Sequence, residues 1–300
     1  MEASSATGRA ALADAPSGAV GALPNLIVIG AQKCGTSGLH YYLGLHPQVS
    51  VSRLKEVNFF IAERNWTRGL DWYQSHFDAA SAVRVEASPN YTAHPHFAGV
   101  PERMHAVVPD AKLVFSVRDP IDRIASHWVH NHAKGRDRGD IGSTILSEKT
   151  TYISRSRYHM QLELFLRFYP LDRIFILDVA DLRSRREQTL AELFRFAGVD
   201  PSFEHRGFQS VRHRSDRKTR PTPLGERLLA QRARVGRRRG ILPRQAWDLA
   251  FGHWPLGRRI ERPEVRGALP APVIELLRDD ARKLGELTGR SFGHWSIWES

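Results

Sequence analysis

Short apolar runs bounded by loop residues recur through the first two thirds of the chain. Leu26–Ile29, Lys112–Val117 and Arg173–Leu177 read as buried strands, and Val83–Glu86 as a shorter one. Between them, apolar positions fall at helical spacing over Thr36–Leu45, Phe97–Val108, Asp119–His132, Arg157–Tyr169 and Glu187–Ala197. Strands alternating with helices predict an α/β fold with a parallel sheet and helices on both faces. Ligands of such sheets bind beyond the carboxyl ends of the strands. Gly30 and Arg118 each stand just past a predicted strand end.

The C-terminal third follows another pattern. Residues 205–222 are low in apolar content and read as a basic loop closed by Pro221 and Pro223. A helix from Pro223 to about Val235 is expected next, then a linker-like stretch rich in Arg, Gly and Pro to Leu269. Pro272–Leu287 is amphipathic, with Val273, Leu276, Leu277, Leu284 and Leu287 on one face, and predicts a closing helix. Residues 1–23 are rich in Ala, Ser and Gly and carry Glu2 and Asp14 without a sustained apolar run. They read as a disordered leader rather than a secretory signal. The expected organisation is therefore a leader at 1–23 and one domain over 24–300, with a basic segment at 206–262 and a closing helix at 272–287.

Composition narrows the class. Three hundred residues with 41% hydrophobic content suit one large α/β domain with an ample core. No stretch approaches the ~20 apolar residues of a membrane span, which leaves peripheral membrane contact open. Cys34 is the single cysteine, so no intramolecular disulfide forms, and a cytoplasmic location is expected. The net charge of +12 is local: Arg206–Arg262 holds sixteen Arg or Lys against four Asp or Glu, and the rest of the chain balances. That segment could meet nucleic acid, an anionic glycan, a membrane surface or a phosphorylated cofactor. Aromatic residues do not interleave with the basic ones, so no specific nucleic-acid partner is expected.

The chemistry centres on residues 26–39, LIVIGAQKCGTSGL. A nucleotide triphosphatase loop reads G-x-x-x-x-G-K-[ST], with lysine directly after the second glycine to reach the β- and γ-phosphates. Here Gly30 and Gly35 keep the glycine spacing and Thr36 and Ser37 supply hydroxyls. Position 36, however, is threonine, and the lysine is Lys33 inside the loop. A strand, a tight loop and a helix start still present N–H groups and a positive dipole end to an anion. A donor with one 5′-phosphate and a short second anionic group fits this loop better than a triphosphate.

Three segments resemble one family in that family's order. The loop GAQKCGTS at 30–37 resembles the 5′-phosphosulfate loop of sulfotransferases that use 3′-phosphoadenosine 5′-phosphosulfate (PAPS). Lys55-Glu56-Val57-Asn58-Phe59-Phe60 is similar to the Lys-Glu-x-x-Phe-Phe stretch of heparan sulfate sulfotransferase domains. Residues 114–126, VFSVRDPIDRIAS, resemble the 3′-phosphate segment. The likeness covers roughly residues 24 to 225. It implies a P-loop-like three-layer fold and transfer of a sulfuryl group from PAPS, without a metal, to a hydroxyl or amine.

The resemblance also implies roles. Gln32, Lys33, Cys34, Gly35, Thr36 and Ser37 would form the cofactor loop, with Lys33 at the bridging oxygen of the leaving group. Arg118 and Ser126, eight residues apart and about two helical turns along, would take the 3′-phosphate. A basic glycine-containing loop closes over that phosphate in the family. Arg217-Lys218-Thr219-Arg220 is the nearest match and lacks the glycine, so Lys218 and Arg220 are the corresponding candidates. Glu56 would accept the acceptor's proton, a histidine being the alternative base. His130 follows Ser126 by four residues and would support the transfer, and Tyr158 would contact acceptor or cofactor. The expected acceptor is a carbohydrate or glycolipid. Sulfation of a small molecule or secondary metabolite is the alternative, and a P-loop phosphotransferase the more distant one.

Overall fold

The computed structural model describes residues 22–137, 139–147, 151–210, 219–222, 224, 227 and 257–299. They form two compact units, one drawn from Met1–Pro120, Ile153–His213 and Pro272–Ser300, the other from Ile121–Tyr152 and Arg214–Ala271. The first unit opens with β1 (Leu26–Gly30), α1 (Thr36–Leu43), β2 (Val49–Val51), α2 (Leu70–Gln74), β3 (Val83–Ala87), α3 (Val100–Val107) and β4 (Lys112–Val117). The second unit then holds α4 (Pro120–Ala133), save its first residue, and α5 (Ile141–Leu146). The chain returns to the first unit with α6 (Tyr158–Leu166), β5 (Ile174–Asp178), α7 (Val179–Ser184) and α8 (Arg186–Ala197). A short antiparallel pair, β6 (Thr219–Pro221) and β7 (Gly257–Arg259), belongs to the second unit. The closing helix α9 (Ala271–Thr288) belongs to the first from Pro272 onward.

Five strands form one sheet in the order β2-β3-β1-β4-β5, and every neighbouring pair is parallel. The central strand is β1: Leu26 lies opposite Val85 and Lys112, and Val28 opposite Ala87 and Val114. All five of its residues are buried, because a parallel strand is covered on both faces, and it therefore reads as an unbroken apolar run. Alternation sorts the neighbouring side chains. Leu26, Val28 and Val114 join Leu39 and Leu43 of α1 and Leu190, Leu193 and Phe194 of α8 in one core cluster. On the other face Phe115 packs edge-on against Tyr158 of α6, their ring centroids 6.0 Å apart. Each such buried side chain contributes about 1.5–3 kcal/mol.

The expected strands appear within a residue or so of their predicted ends. β5 begins after Arg173, which belongs to a 3₁₀ turn over Leu171–Arg173, and runs on to Asp178. α1 ends at Leu43, where the Gly44 amide bonds back to His40 and Tyr42. α3 starts at Val100 instead of Phe97, since Gly99 precedes it in a left-handed conformation (φ 68°). β2, α2, α5 and α7 were not expected; each has three to six residues, too few to display a period. The closing helix runs one residue further at each end than the amphipathic pattern indicated. Residues 1–21 of the expected leader, most of the expected helix after Pro223, and most of the basic segment lie outside the described residues. No described helix is long and apolar enough to cross a membrane.

α9 is fixed by its buried stripe of Leu277, Ala281 and Leu284, and by Asp280. The Asp280 carboxylate accepts the amides of His159 (2.9 Å) and Met160 (3.0 Å), so the start of α6 is capped by another helix. Burial pushes the Asp280 carboxyl above its usual range, while those two amides and Arg157 oppose the shift. The open face of α9 instead carries surface ion pairs, with Arg282 bridging Asp279 and Glu286. Asp280→Ala should therefore lower the unfolding free energy by about 2 kcal/mol. Arg282→Ala should cost less than about 0.5 kcal/mol. Urea titration of the two variants checks the contrast, and equal losses would contradict it.

Candidate functional site

β1 delivers its loop through Gly30, where an added Cβ would fall 1.8 Å from Thr92 Oγ1, leaving room for glycine only. The loop hangs on the adjacent strand. Ala31 N donates to Ser116 O (2.7 Å), and Ser116 Oγ donates to Cys34 O (2.6 Å). Lys33 and Gly35, both at φ 76°, flank Cys34. A lysine in the left-handed region costs about 1 kcal/mol, and between the two the Cys34 amide turns back onto Ala31 O (3.1 Å). α1 begins directly afterwards with no side-chain cap and no acidic residue in its first turn. The positive end of its dipole thus faces the loop. Thr36 is buried, Gln32, Lys33 and Ser37 are half-buried, and Cys34 is fully enclosed.

A second loop reaches this helix start. Lys55 Nζ donates to Ser37 Oγ (2.5 Å) and lies 3.5 Å from Glu56 Oε1. The Glu56 side chain is 41% exposed, on the open side of the loop. His40, one helical turn beyond Ser37, titrates below the usual histidine range, chiefly through burial and then through the Lys55 charge, with Glu56 opposing. Glu56 (φ 59°) and Asn58 (φ 52°) both take left-handed backbone, which persists only where the surroundings over-determine it.

Those surroundings are a buried polar network. Asn58 Nδ2 donates to Glu56 O (2.5 Å), and Asn58 N to Ser88 Oγ (2.9 Å). Asn90 Nδ2 donates to Asn58 Oδ1, and Arg155 Nη1 to Asn90 Oδ1, both at 3.0 Å. Beneath them Glu86, fully buried at the end of β3, accepts from Ser88 Oγ (2.6 Å), Tyr91 OH (2.5 Å) and Tyr73 OH. Burial raises the Glu86 carboxyl pKa, with the three hydroxyl bonds opposing, and burial likewise raises Tyr73 and Tyr91. Phe59 stacks on Tyr73 at 4.2 Å. The two phenylalanines of the Lys-Glu-x-x-Phe-Phe stretch are thus anchors, and its lysine and glutamate are what the loop presents.

Sequence reasoning missed the Lys55 contact with Ser37, His40 and the Glu86 network. Glu86 carried one signal, a carboxylate inside an otherwise apolar strand end. Arg118 is buried immediately beyond β4. Tyr158 is also fully buried, its OH 3.5 Å from Cys34 Sγ, so it supports the loop from below and presents no open face. In the second unit, Ser126 is buried on α4, and His130, four residues on, is half-buried. That unit also holds an unforeseen cluster, in which the buried Arg123 donates to Tyr152 O (2.6 Å) and to His127 Nδ1 (2.5 Å). Arg220 lies in β6 opposite Arg258, whereas Lys218 lies outside the described residues. Among the described residues, no three His, Cys, Asp or Glu side chains group to hold a metal ion.

A family model described as a sulfotransferase domain matches residues 23–242. Bifunctional heparan sulfate N-deacetylase/N-sulfotransferase 2 of Homo sapiens is 30% identical over 202 residues, covering 60% of this chain and 22% of that protein. The bifunctional heparan sulfate N-deacetylase/N-sulfotransferase of Drosophila melanogaster is 28% identical over 213 residues, covering 61% and 20%. The chain spans about a fifth of the length of these curated relatives. The crystal structure of a sulfotransferase from Alicyclobacillus acidocaldarius aligns with a TM-score of 0.63 at 20% identity, covering 91% of this chain and 99% of that one. That likeness shows the fold, which is the P-loop-like α/β arrangement the sequence led us to expect. With the family model matching most of its length, the chain belongs to the sulfotransferase domain family.

Proposed function

We propose that this chain transfers a sulfuryl group from PAPS to a hydroxyl or amine of a carbohydrate or glycolipid. The observation that carries the reading is the loop itself: a tight turn into an uncapped helix start, with Lys33 inside it and threonine where a triphosphatase has lysine. Its residues fit a 5′-phosphosulfate. The amides of Gly35, Thr36 and Ser37 at the helix start and the hydroxyls of Thr36 and Ser37 would hold the 5′-phosphate. PAPS supplies an activated sulfuryl group whose departure leaves negative charge on the bisphosphate. Lys33, a compact cation held in the loop, would stabilise that charge. Lys55, through Ser37, adds a second cation at the same helix start.

Arg118 would bind the 3′-phosphate, since a buried guanidinium at a strand end can grip phosphate through two parallel bonds. Ser126 keeps the 3′-phosphate role that the resemblance implies, His130 a supporting one, and Lys218 and Arg220 that of the covering loop. Glu56, exposed beside Lys55, would take the proton from the acceptor. A carbohydrate acceptor is supported by the Lys-Glu-x-x-Phe-Phe loop and by the relatives named for heparan sulfate N-sulfation.

Adenosine 3′,5′-bisphosphate should bind at least about tenfold more tightly than 5′-AMP or ATP, without added Mg²⁺, because Arg118 offers a second anion contact. Calorimetry giving equal affinity for 5′-AMP would remove the 3′-phosphate assignment. Lys33→Ala should lower kcat more than bisphosphate affinity, as its role strengthens while the leaving oxygen gains charge. A rise confined to the KM for PAPS would make Lys33 a binding residue only.

Glu56→Gln keeps the side chain's shape and removes its basicity. Transfer should fall roughly 10²–10⁴-fold while donor binding persists. His130→Ala should be milder. Steady-state rates of the pair separate a carboxylate base from a histidine base, and near-normal transfer by Glu56→Gln would overturn the assignment.

A further inference from the structure

We infer that the segment Phe292–Trp298 is a clamp that sets the geometry of the phosphate loop without touching the nucleotide, with Trp295 and Ser296 as its positioning residues. The inference rests on the reading of that loop as the donor site. Three links start from Trp295 and Ser296. Ser296 N donates to Asp119 Oδ2, and Asp119 directly follows Arg118. Trp295 Nε1 donates to Asp178 Oδ2 (2.8 Å), and Asp178, 2% exposed at the end of β5, also accepts Ala180 N (2.8 Å) to cap α7. The first residue of that helix is Val179, whose Cγ2 lies 3.4 Å from where a Gly35 Cβ would stand. The Trp295 ring packs edge-on against Tyr158, centroids 5.9 Å apart, and Tyr158 OH meets Cys34 Sγ.

The links thus converge on Cys34, Gly35 and Arg118, from residues more than a hundred positions away in sequence. The segment is itself held fast. Arg278 of α9 donates through Nε to Ile297 O (2.8 Å) and through Nη2 to Glu299 O (2.7 Å). Trp298 Nε1 donates to Phe292 O (2.8 Å), and the Phe292 and Trp295 rings lie 4.3 Å apart. Apolar packing alone would need the rings but not the donors. Here an indole N–H and a backbone amide are each spent on a carboxylate at a strand end, where such bonds are strong and directional. Left-handed backbone at Lys33 and Gly35 persists only under such constraint from several sides. The His294 ring, half-exposed, adds a third donor-or-acceptor contact to Asp178 (3.1 Å).

Two substitutions remove single donors. Trp295→Phe keeps a ring and loses the N–H. Ser296→Pro deletes the amide at a position that suits proline, because Trp295 is extended (ψ 138°) and Ser296 opens a 3₁₀ turn. Hydrogen exchange of the amides of residues 33–37 is measured in the ligand-free chain, with bisphosphate affinity, acceptor KM and melting temperature alongside. Both variants should speed loop exchange, weaken adenosine 3′,5′-bisphosphate about tenfold and leave the acceptor KM unmoved. A lowered melting temperature with loop exchange unchanged would reduce the segment to packing and overturn the clamp. If exchange responds but the unsubstituted chain binds no bisphosphate, the clamp stands and the donor reading falls.

Discussion

Ser116 carries the phosphate loop. Its carbonyl takes the Ala31 amide and its hydroxyl donates to the Cys34 carbonyl, so one buried residue of β4 satisfies both sides of the loop backbone. Backbone polar groups removed from water must be paired, and a loop this tight cannot pair them all with itself. Because β4 supplies these partners, the loop keeps left-handed backbone at Lys33 and Gly35 without leaving the Ala31 amide or the Cys34 carbonyl unpaired. This depends on β4 lying beside β1, with Val28 opposite Val114 and Gly30 opposite Phe115. Strand order therefore precedes chemistry: the loop takes this form because these two strands are neighbours.

The Lys55–Glu56 loop obeys a similar constraint with a costlier solution. Glu86 is fully buried and gathers three hydroxyl donors, and Ser88 and Tyr91 also meet the amides of Asn58 and Phe60. A network of this kind rigidifies what it supports only when every member is satisfied. Its product is a loop that presents a cation to Ser37 and a carboxylate to the open side, on left-handed backbone that a loosely held segment would not keep. Cation and carboxylate come from adjacent residues, Lys55 and Glu56, of one loop.

Much of this was legible in the sequence because the central strands are buried on both faces. β1 reads as an unbroken apolar run and β4 as one interrupted only by Ser116 after its opening lysine, and the displaced lysine at position 33 marked the loop without any structure. The three-residue β2 and the five-residue α2 were not legible, being too short to show a period. Nor was the contact of Lys55 with Ser37, which the chain path through β2 brings together across eighteen positions. Tyr158 was recognisable as a residue of interest, yet only packing shows that it lies beneath the loop. Asp178 and Asp280 look like ordinary acidic residues in sequence; burial and partners more than a hundred positions distant give them their roles.

The central claim is that the loop serves a sulfuryl donor rather than a nucleoside triphosphate. It is tested most directly by following both halves of one reaction. PAPS labelled with ³⁵S is incubated with the chain and an amino-sugar polysaccharide bearing free amines and hydroxyls. Label in the polysaccharide is then compared with adenosine 3′,5′-bisphosphate released. The account predicts one sulfuryl group transferred for each bisphosphate formed, and no phosphate transfer from γ-labelled ATP under the same conditions. Phosphate transfer from ATP without sulfuryl transfer from PAPS would contradict it.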